Sequence, residues 1–254
     1  MSKEIFDFIK RYESFKESPQ YHFYSFIKEN RLYMSILREN YRDLQKIIKF
    51  HNSPVHDNIL WMTLDSKIRR KTQIKVTKSL LNHLSSIFSV VDYSRRKLKP
   101  YLQKKTSIFE AYEQKVNLNF KLNPHHCFVQ GLRNFAIHYS YLKIVSSIKF
   151  NKEINNSTRS IYISKSVLLK YTNWDNLSKS LLNSLDDKIH IIDLITEHYR
   201  LFIQFQDWAF LNLFLVDNDL SKGVYEEMLS LLNEATTLGL NHNLPFDNVS
   251  YGCK

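Results

Sequence analysis

The chain has 254 residues, 43% hydrophobic and 14% aromatic, enough apolar surface to close a substantial core and too much for a disordered chain. Glycine occurs only four times, at 131, 223, 239 and 252, which excludes a Gly-x-Gly-x-x-Gly or Walker-type phosphate loop. Lys and Arg outnumber Asp and Glu by 36 to 25, and this net +11 favours an anionic partner such as nucleic acid or a membrane surface.

The N-terminus, MSKEIFDFIKRY, carries Glu4 and Asp7 where a secretory leader would be basic and then apolar, so no leader is expected. From about 20 to 50, Tyr24, Phe26, Ile27, Tyr33, Leu37, Tyr41, Leu44 and Ile47 mark a helix, part of an N-terminal helical extension over 1–66. The charge is concentrated beyond it. Between Lys67 and Lys105 stand twelve bases, Arg69, Arg70, Arg95, Arg96, Lys97 and Lys99 among them, against the single acid Asp92. The rest of the chain sums to zero. From Asp175 to Glu234, eleven acids face four bases, so part of the basic surface has a possible acidic neighbour within the fold.

Val76, Leu80, Leu81, Leu84, Ile87, Phe88 and Val91 recur at three- and four-residue steps and predict a helix over about 72–99, ended or kinked by Pro100. Ile108, Tyr112 and Val116 predict another over 104–119. Asn123-Pro124 is an N-cap followed by proline at the first helical position, and starts a helix expected to reach about 142. Ile144, Val145, Ile148 and Phe150, then Ile161, Ile163 and Val167, flank a polar stretch and predict a small hairpin insertion near 143–167. A helix apolar on most sides follows over 186–216, and a last one runs from about Ser221 to the C-cap glycine Gly239, before a tail over 241–254. The most apolar stretch, Phe210 to Val216, is interrupted by Asn212, and the two cysteines, Cys127 and Cys253, suit neither a disulfide framework nor a thiolate metal site. These features predict a cytoplasmic, all-α protein with no membrane span and no metal or other cofactor: an antiparallel helical bundle over 67–240 behind the N-terminal extension.

The most chemically suggestive string is His125-His126-Cys127-Phe128-Val129-Gln130-Gly131-Leu132-Arg133-Asn134-Phe135-Ala136-Ile137-His138. On a helix, Asn134 and His138 are one turn apart, and Arg133, rotated by roughly 140° from His138, has the reach to bring its guanidinium round. An always-charged bidentate donor, an amide and a group titrating near neutral pH suit an RNA phosphodiester without a metal. His126, two turns before Arg133, is a further phosphate contact or an exposed first-turn residue. His190, Asp193, Glu197 and His198 are either metal ligands or hydrogen-bonding groups of an apolar helix. Cys127 as a nucleophile lacks a readable base, and Asp92 is expected to pair with Arg95 or Arg96.

At Arg133, Asn134 and His138 the chain resembles the HEPN superfamily, whose ribonucleases carry Arg, four to six residues beginning with a polar one, then His. The Arg-Asn-x-x-x-His form is that of many abortive-infection and toxin members. A bare Arg-x4–6-His arises about once by chance in such a composition, and the Asn and fixed gap lower this to about 0.04. The resemblance implies a HEPN-like helical bundle, a homodimer with two motifs facing each other, and metal-independent endoribonuclease activity leaving a 2′,3′-cyclic phosphate. The expected roles are Arg133 on phosphate, His138 as acid/base and Asn134 as orienter, while helix spacing and charge make His126 and the basic segment the expected RNA contacts. A small acidic antitoxin or a nucleotidyltransferase is the partner of a toxin of this kind. Three rivals remain at this point. In one, Arg133 pairs with an acid of the 186–216 helix and His138 is a hydrogen-bonded interior residue. In another, a noncatalytic helical module binds nucleic acid or a partner protein through the 67–105 segment. In the third, the chain is a helical scaffold that uses its N-terminal arm for assembly.

Overall fold

Apolar residues at helical steps bury one face of each long segment, and the chain folds accordingly as an all-α protein with one small antiparallel sheet. The computed structural model describes residues 2–52, 66–151, 156–216, 218–238 and 240; the side chain of Arg69, the expected cap Gly239 and the tail over 241–254 lie outside the described residues. Helix α1 (Lys3–Lys16) starts at Ser2, whose hydroxyl accepts from the Ile5 amide at 3.3 Å, and α2 (Pro19–Asn52) matches the helix expected over 20–50. Helix α3 (Ser66–Tyr93) runs into a π-helical turn, π1 (Ser94–Leu98), and then α4 (Lys99–Leu102). Pro100 explains the widened turn before it: proline has no N–H to give and its ring presses on the preceding carbonyls of a regular α-helix. Helix α5 (Thr106–Val116) likewise runs into π2 (Asn117–Lys121).

Helix α6 (Pro124–His138) is capped as its sequence predicts, Asn123 Oδ1 accepting from the amides of His125 at 2.9 Å and His126 at 3.3 Å. It stops four residues earlier than expected. The amides of Tyr139 and Ser140 both close on the Phe135 carbonyl, and the chain straightens through buried Leu142 into the sheet. Strands β1 (Ile144–Asn151) and β2 (Asn156–Ser164) form the expected hairpin, with Ile144 opposite Ile163. After α7 (Lys165–Leu168) and α8 (Asn176–Ser184), a two-residue strand, β3 (Lys188–Ile189), pairs with β2, so α9 (Ile191–Val216) starts later than its periodicity suggests. Helix α10 (Asn218–Thr237) completes the described chain.

The chain divides into two compact units, one made of the described residues of Met1–Arg31 and Leu213–Lys254, the other of Leu32–Asn212. In the first, Phe8, Phe15, Val224, Met228 and Leu231 are buried, and Arg11 binds Glu234 at 2.5 Å and Ser230 at 2.6 Å. In the second, Leu80 and Leu84 of α3, Phe128, Leu132 and Phe135 of α6, Ile163 of β2, Leu182 of α8 and Ile195 of α9 share one core. Among the described residues no helix is long and apolar enough to cross a membrane.

Helix α6 is positioned by an aromatic contact that only glycine permits. Trp174 stacks on Phe128 with ring centroids 5.3 Å apart, donates its indole N–H to the Leu168 carbonyl at 2.9 Å, and lies directly over Gly131. A Cβ at position 131 would stand 2.5 Å from Trp174 Cε3 and closer still to Cζ3. The indole is rigid and cannot yield, so Gly131→Ala should destabilise the protein by about 1–3 kcal/mol. Thermal denaturation should show a melting point lower by roughly 2–4 °C for each kcal/mol lost.

Candidate functional site

Helix α6 carries three kinds of surface. Phe128, Val129, Leu132 and Phe135 enter the core. His126 and Arg133, seven residues apart, share the side turned toward Phe88 of α3, and Cys127, Gln130 and Asn134 open onto a cavity.

The three motif residues take different positions. The Arg133 guanidinium stands over the Phe88 ring, 5.1 Å from its centroid, its Nε buried and without a hydrogen-bond partner among the described residues. Among the described residues Arg133 makes no ion pair, so the expectation that an acid of α9 neutralises it is not met; Glu197 instead holds Arg200 at 2.7 Å. Asn134 lines the cavity. His138 closes α6 and is exposed rather than interior, because the helix ends there and the chain turns away to β1. It does not line the cavity that Asn134 faces.

His126, expected as a phosphate contact or an exposed first-turn residue, is only 7% exposed, and its Nδ1 lies 2.8 Å from Nε2 of His198 on α9. Burial, and secondarily the charge of Arg95, pushes the His126 pKa down to about 4, so at neutral pH it offers a hydrogen bond and no positive charge. His83 of α3 is fully buried, both its ring nitrogens unpartnered among the described residues, and burial lowers it to about 4 as well. His198 is likewise held well below its ordinary value by burial and then by the neighbouring His126, His83 and His125. The set His190, Asp193, Glu197 and His198 is thus divided between a surface ion pair and the core, and among the described residues no three metal-ligating side chains gather. Cys127 is no thiolate either: burial and the charge of Asp175 push its pKa up, and its thiol faces the Phe120 and Lys121 carbonyls at 3.7 and 3.6 Å.

The cavity measures about 890 Å³. Arg95 and Lys99 of the basic segment reach it, together with Lys121, Gln130, Asn176 and Gln206, which the sequence reading did not single out. Two signals for them were legible: the polar stripe Cys127, Gln130, Asn134 along one helix face, and Asp175 as an N-cap, accepting from the Leu177 and Ser178 amides at 3.0 Å each. Arg96, Lys97 and Arg70 are exposed away from the lining. Asp92 pairs with Arg95 at 3.9 Å as expected, and Lys99 with Glu113 at 2.7 Å, both partners lying outside the acidic 175–234 stretch.

No family model, no curated protein and no solved structure matches the chain. Its chemistry is therefore read from its own residues.

The buried imidazoles give a pH test. Their folded pKa values lie below the ordinary 6.5, so the unfolded chain binds the extra protons. Their contribution to stability is complete above pH 6.5 and is lost as pH falls from there towards 4. Urea unfolding between pH 7 and 5 should lose up to about 1.4 kcal/mol per pH unit for each histidine, and His83→Phe should make that slope shallower. An unchanged slope in the variant would contradict the assignment.

Proposed function

We propose that this protein is a metal-independent endoribonuclease of HEPN type, acting on RNA through α6. The observation that carries the reading is Arg133: an arginine with no ion pair among the described residues, its Nε buried and unpartnered, on the same helix as an exposed histidine five residues on. Such a guanidinium retains its full charge for a phosphate, and its contact with Phe88 limits the orientations it must give up on binding. In this reading Arg133 holds the scissile phosphate and neutralises charge developing on it. His138 accepts the 2′-hydroxyl proton or returns one to the departing 5′-oxygen, and Asn134 orients the strand. Attack by the 2′-oxygen on phosphorus, with loss of the 5′-oxygen, leaves a 2′,3′-cyclic phosphate and consumes no water. Arg95, Arg96, Lys97 and Lys99 add attraction for the backbone that weakens with salt.

A homodimer belongs to the proposal, since a single His138 does not serve as base and acid at once. Ile137, Tyr139 and Tyr141 beside it are 49%, 52% and 65% exposed, an apolar surround consistent with a second copy. The partners of a toxin, a small acidic antitoxin or a nucleotidyltransferase, remain part of the same reading. One observation favours a noncatalytic RNA-binding module instead: His138 does not line the cavity to which the basic segment contributes Arg95 and Lys99.

Incubation of total RNA in EDTA with wild type, Arg133→Ala and His138→Ala separates the two. The nuclease reading expects wild-type cleavage with cyclic phosphate ends and losses of about 10²-fold or more in both variants. No cleavage by any of them, with RNA retained by all unless Arg95, Arg96 and Lys97 are reversed to glutamate, identifies the binding module. For the dimer, light scattering after gel filtration should report twice the chain mass for wild type and a monomer for the Ile137→Glu/Tyr141→Glu variant. A wild-type monomer at micromolar concentration would remove the two-motif arrangement.

A further inference from the structure

The cleavage proposal draws on the cavity beside α6 only at Asn134, Arg95 and Lys99, and leaves the rest of its lining without a role. At about 890 Å³ it lies in the range of about 300–1,000 Å³ typical of small-molecule sites. Both π-helical turns border it: Ser94 and Arg95 come from π1, Phe120 and Lys121 from π2. Pro100 accounts for π1, but no proline follows π2 within its own helix, and π turns recur where a helix must re-aim side chains into a site.

Three chemical features meet there. The first is aromatic. Phe120 and Phe205 meet edge to face at 4.8 Å and Tyr112 lies 5.5 Å from Phe205, forming an apolar wall on which a planar base can stack. The second is a set of amides. Gln206 Oε1 accepts from Ser94 Oγ at 3.2 Å and keeps its NH₂ group for another partner, while Gln130, Asn134 and Asn176 have no hydrogen-bond partner among the described residues. Each amide presents a donor beside an acceptor, the pattern that reads the edge of a nucleobase. The third is charge at the mouth. Among the described residues Arg95 has one ion-pair contact, an exposed one with Asp92 at 3.9 Å, and Lys121 has none. The lining acids are engaged elsewhere: Glu113 binds Lys99 at 2.7 Å, and Asp175 caps α8.

The three lining cations Arg95, Lys99 and Lys121 exceed the two lining acids Glu113 and Asp175 by one, which suits one phosphate rather than a polyphosphate. The polyphosphate option also lacks its glycine-rich cradle, because the one glycine at the cavity, Gly131, is covered by Trp174.

We propose that this cavity is a nucleoside monophosphate site, its base against Phe120 and Phe205, its base edge on the free amides, its phosphate at Arg95 and Lys121. The occupant is a free mononucleotide or an unstacked nucleotide of single-stranded RNA, which share this chemistry. The site stands whether or not α6 cleaves RNA, since it rests on the lining and not on Arg133 or His138.

The test is calorimetric titration of the full-length protein, in EDTA, with AMP, GMP, CMP and UMP, with inorganic phosphate for comparison. At least one nucleotide should bind saturably, one per chain and more tightly than phosphate alone. Lys121→Glu should weaken it tenfold or more and Gln130→Ala severalfold; both positions are exposed, so the fold should persist, as circular dichroism would verify. Lys46→Glu, a charge-matched change on the exposed side of α2, should bind as wild type. Competition with a single-stranded 2′-O-methyl RNA, which cannot be cleaved by 2′-oxygen attack, separates the sources: displacement assigns the site to a nucleotide of an RNA strand, and its absence to a free mononucleotide. Absence of saturable binding by all four nucleotides, or wild-type affinity in Lys121→Glu, would overturn the site. Nucleotide binding by a wild-type protein that cleaves no RNA would overturn the ribonuclease reading alone.

Discussion

The seating of Trp174 on Gly131 is the contact on which the arrangement of the second unit turns. With no Cβ on that face of α6, the indole lies against the helix backbone while its N–H is satisfied by the Leu168 carbonyl. It stacks on Phe128 and meets Tyr171 edge-on at 5.5 Å, so one residue joins α6 to the segment after α7. That segment continues through Asn173 and Asp175 into α8 and supplies a wall of the cavity. The same contact turns the core residues of α6 inward and leaves Gln130 and Asn134 at the cavity. Packing and site therefore depend on a shared residue, and a methyl group at position 131 would disturb both.

A second constraint comes from polar groups in the core. His83, His126 and His198 come from three different helices and are all held neutral by burial. The His126–His198 hydrogen bond satisfies one nitrogen of each ring, while His83 has neither satisfied among the described residues. Buried groups of this kind cost stability unless paired. Their neutrality also shapes the neighbouring electrostatics. With these three imidazoles neutral, attraction for an anion beside α6 is carried by Arg133, Arg95 and Lys121.

The basic segment and the cavity meet at π1. Arg95 and Lys99, four residues apart, share a helical face and reach the cavity, whereas Arg96 and Lys97, one and two steps round the helix, face solvent elsewhere. The counterpart π2 brings Phe120 and Lys121 to the same cavity, where Cys127 lies against their carbonyls. Charge density along the chain located the basic surface without dividing it between these two environments.

Local physics made much of this protein legible from its sequence. The helical periodicities, the Asn123-Pro124 start of α6, the hairpin near 143–167 and the bases between Lys67 and Lys105 all rest on neighbours within a few residues. The same locality located the pairing of Asp92 with Arg95. What lay beyond it were features set by distant segments. The strand Lys188–Ile189 is too short to carry a period and exists because β2 offers it an edge. His126 reads as a first-turn residue and is buried because Phe88 of α3, Phe120 of π2 and His198 of α9 pack around it. The cavity collects Arg95, Lys121, Asn134, Asn176 and Gln206 from five stretches of chain, and no spacing along the sequence records that they meet. By itself, then, the sequence determined helix, hairpin and charge, because those depend on near neighbours. Which polar side chains are buried, the seat of Arg133 over Phe88 and what lines the cavity were decided by packing between segments far apart in the chain.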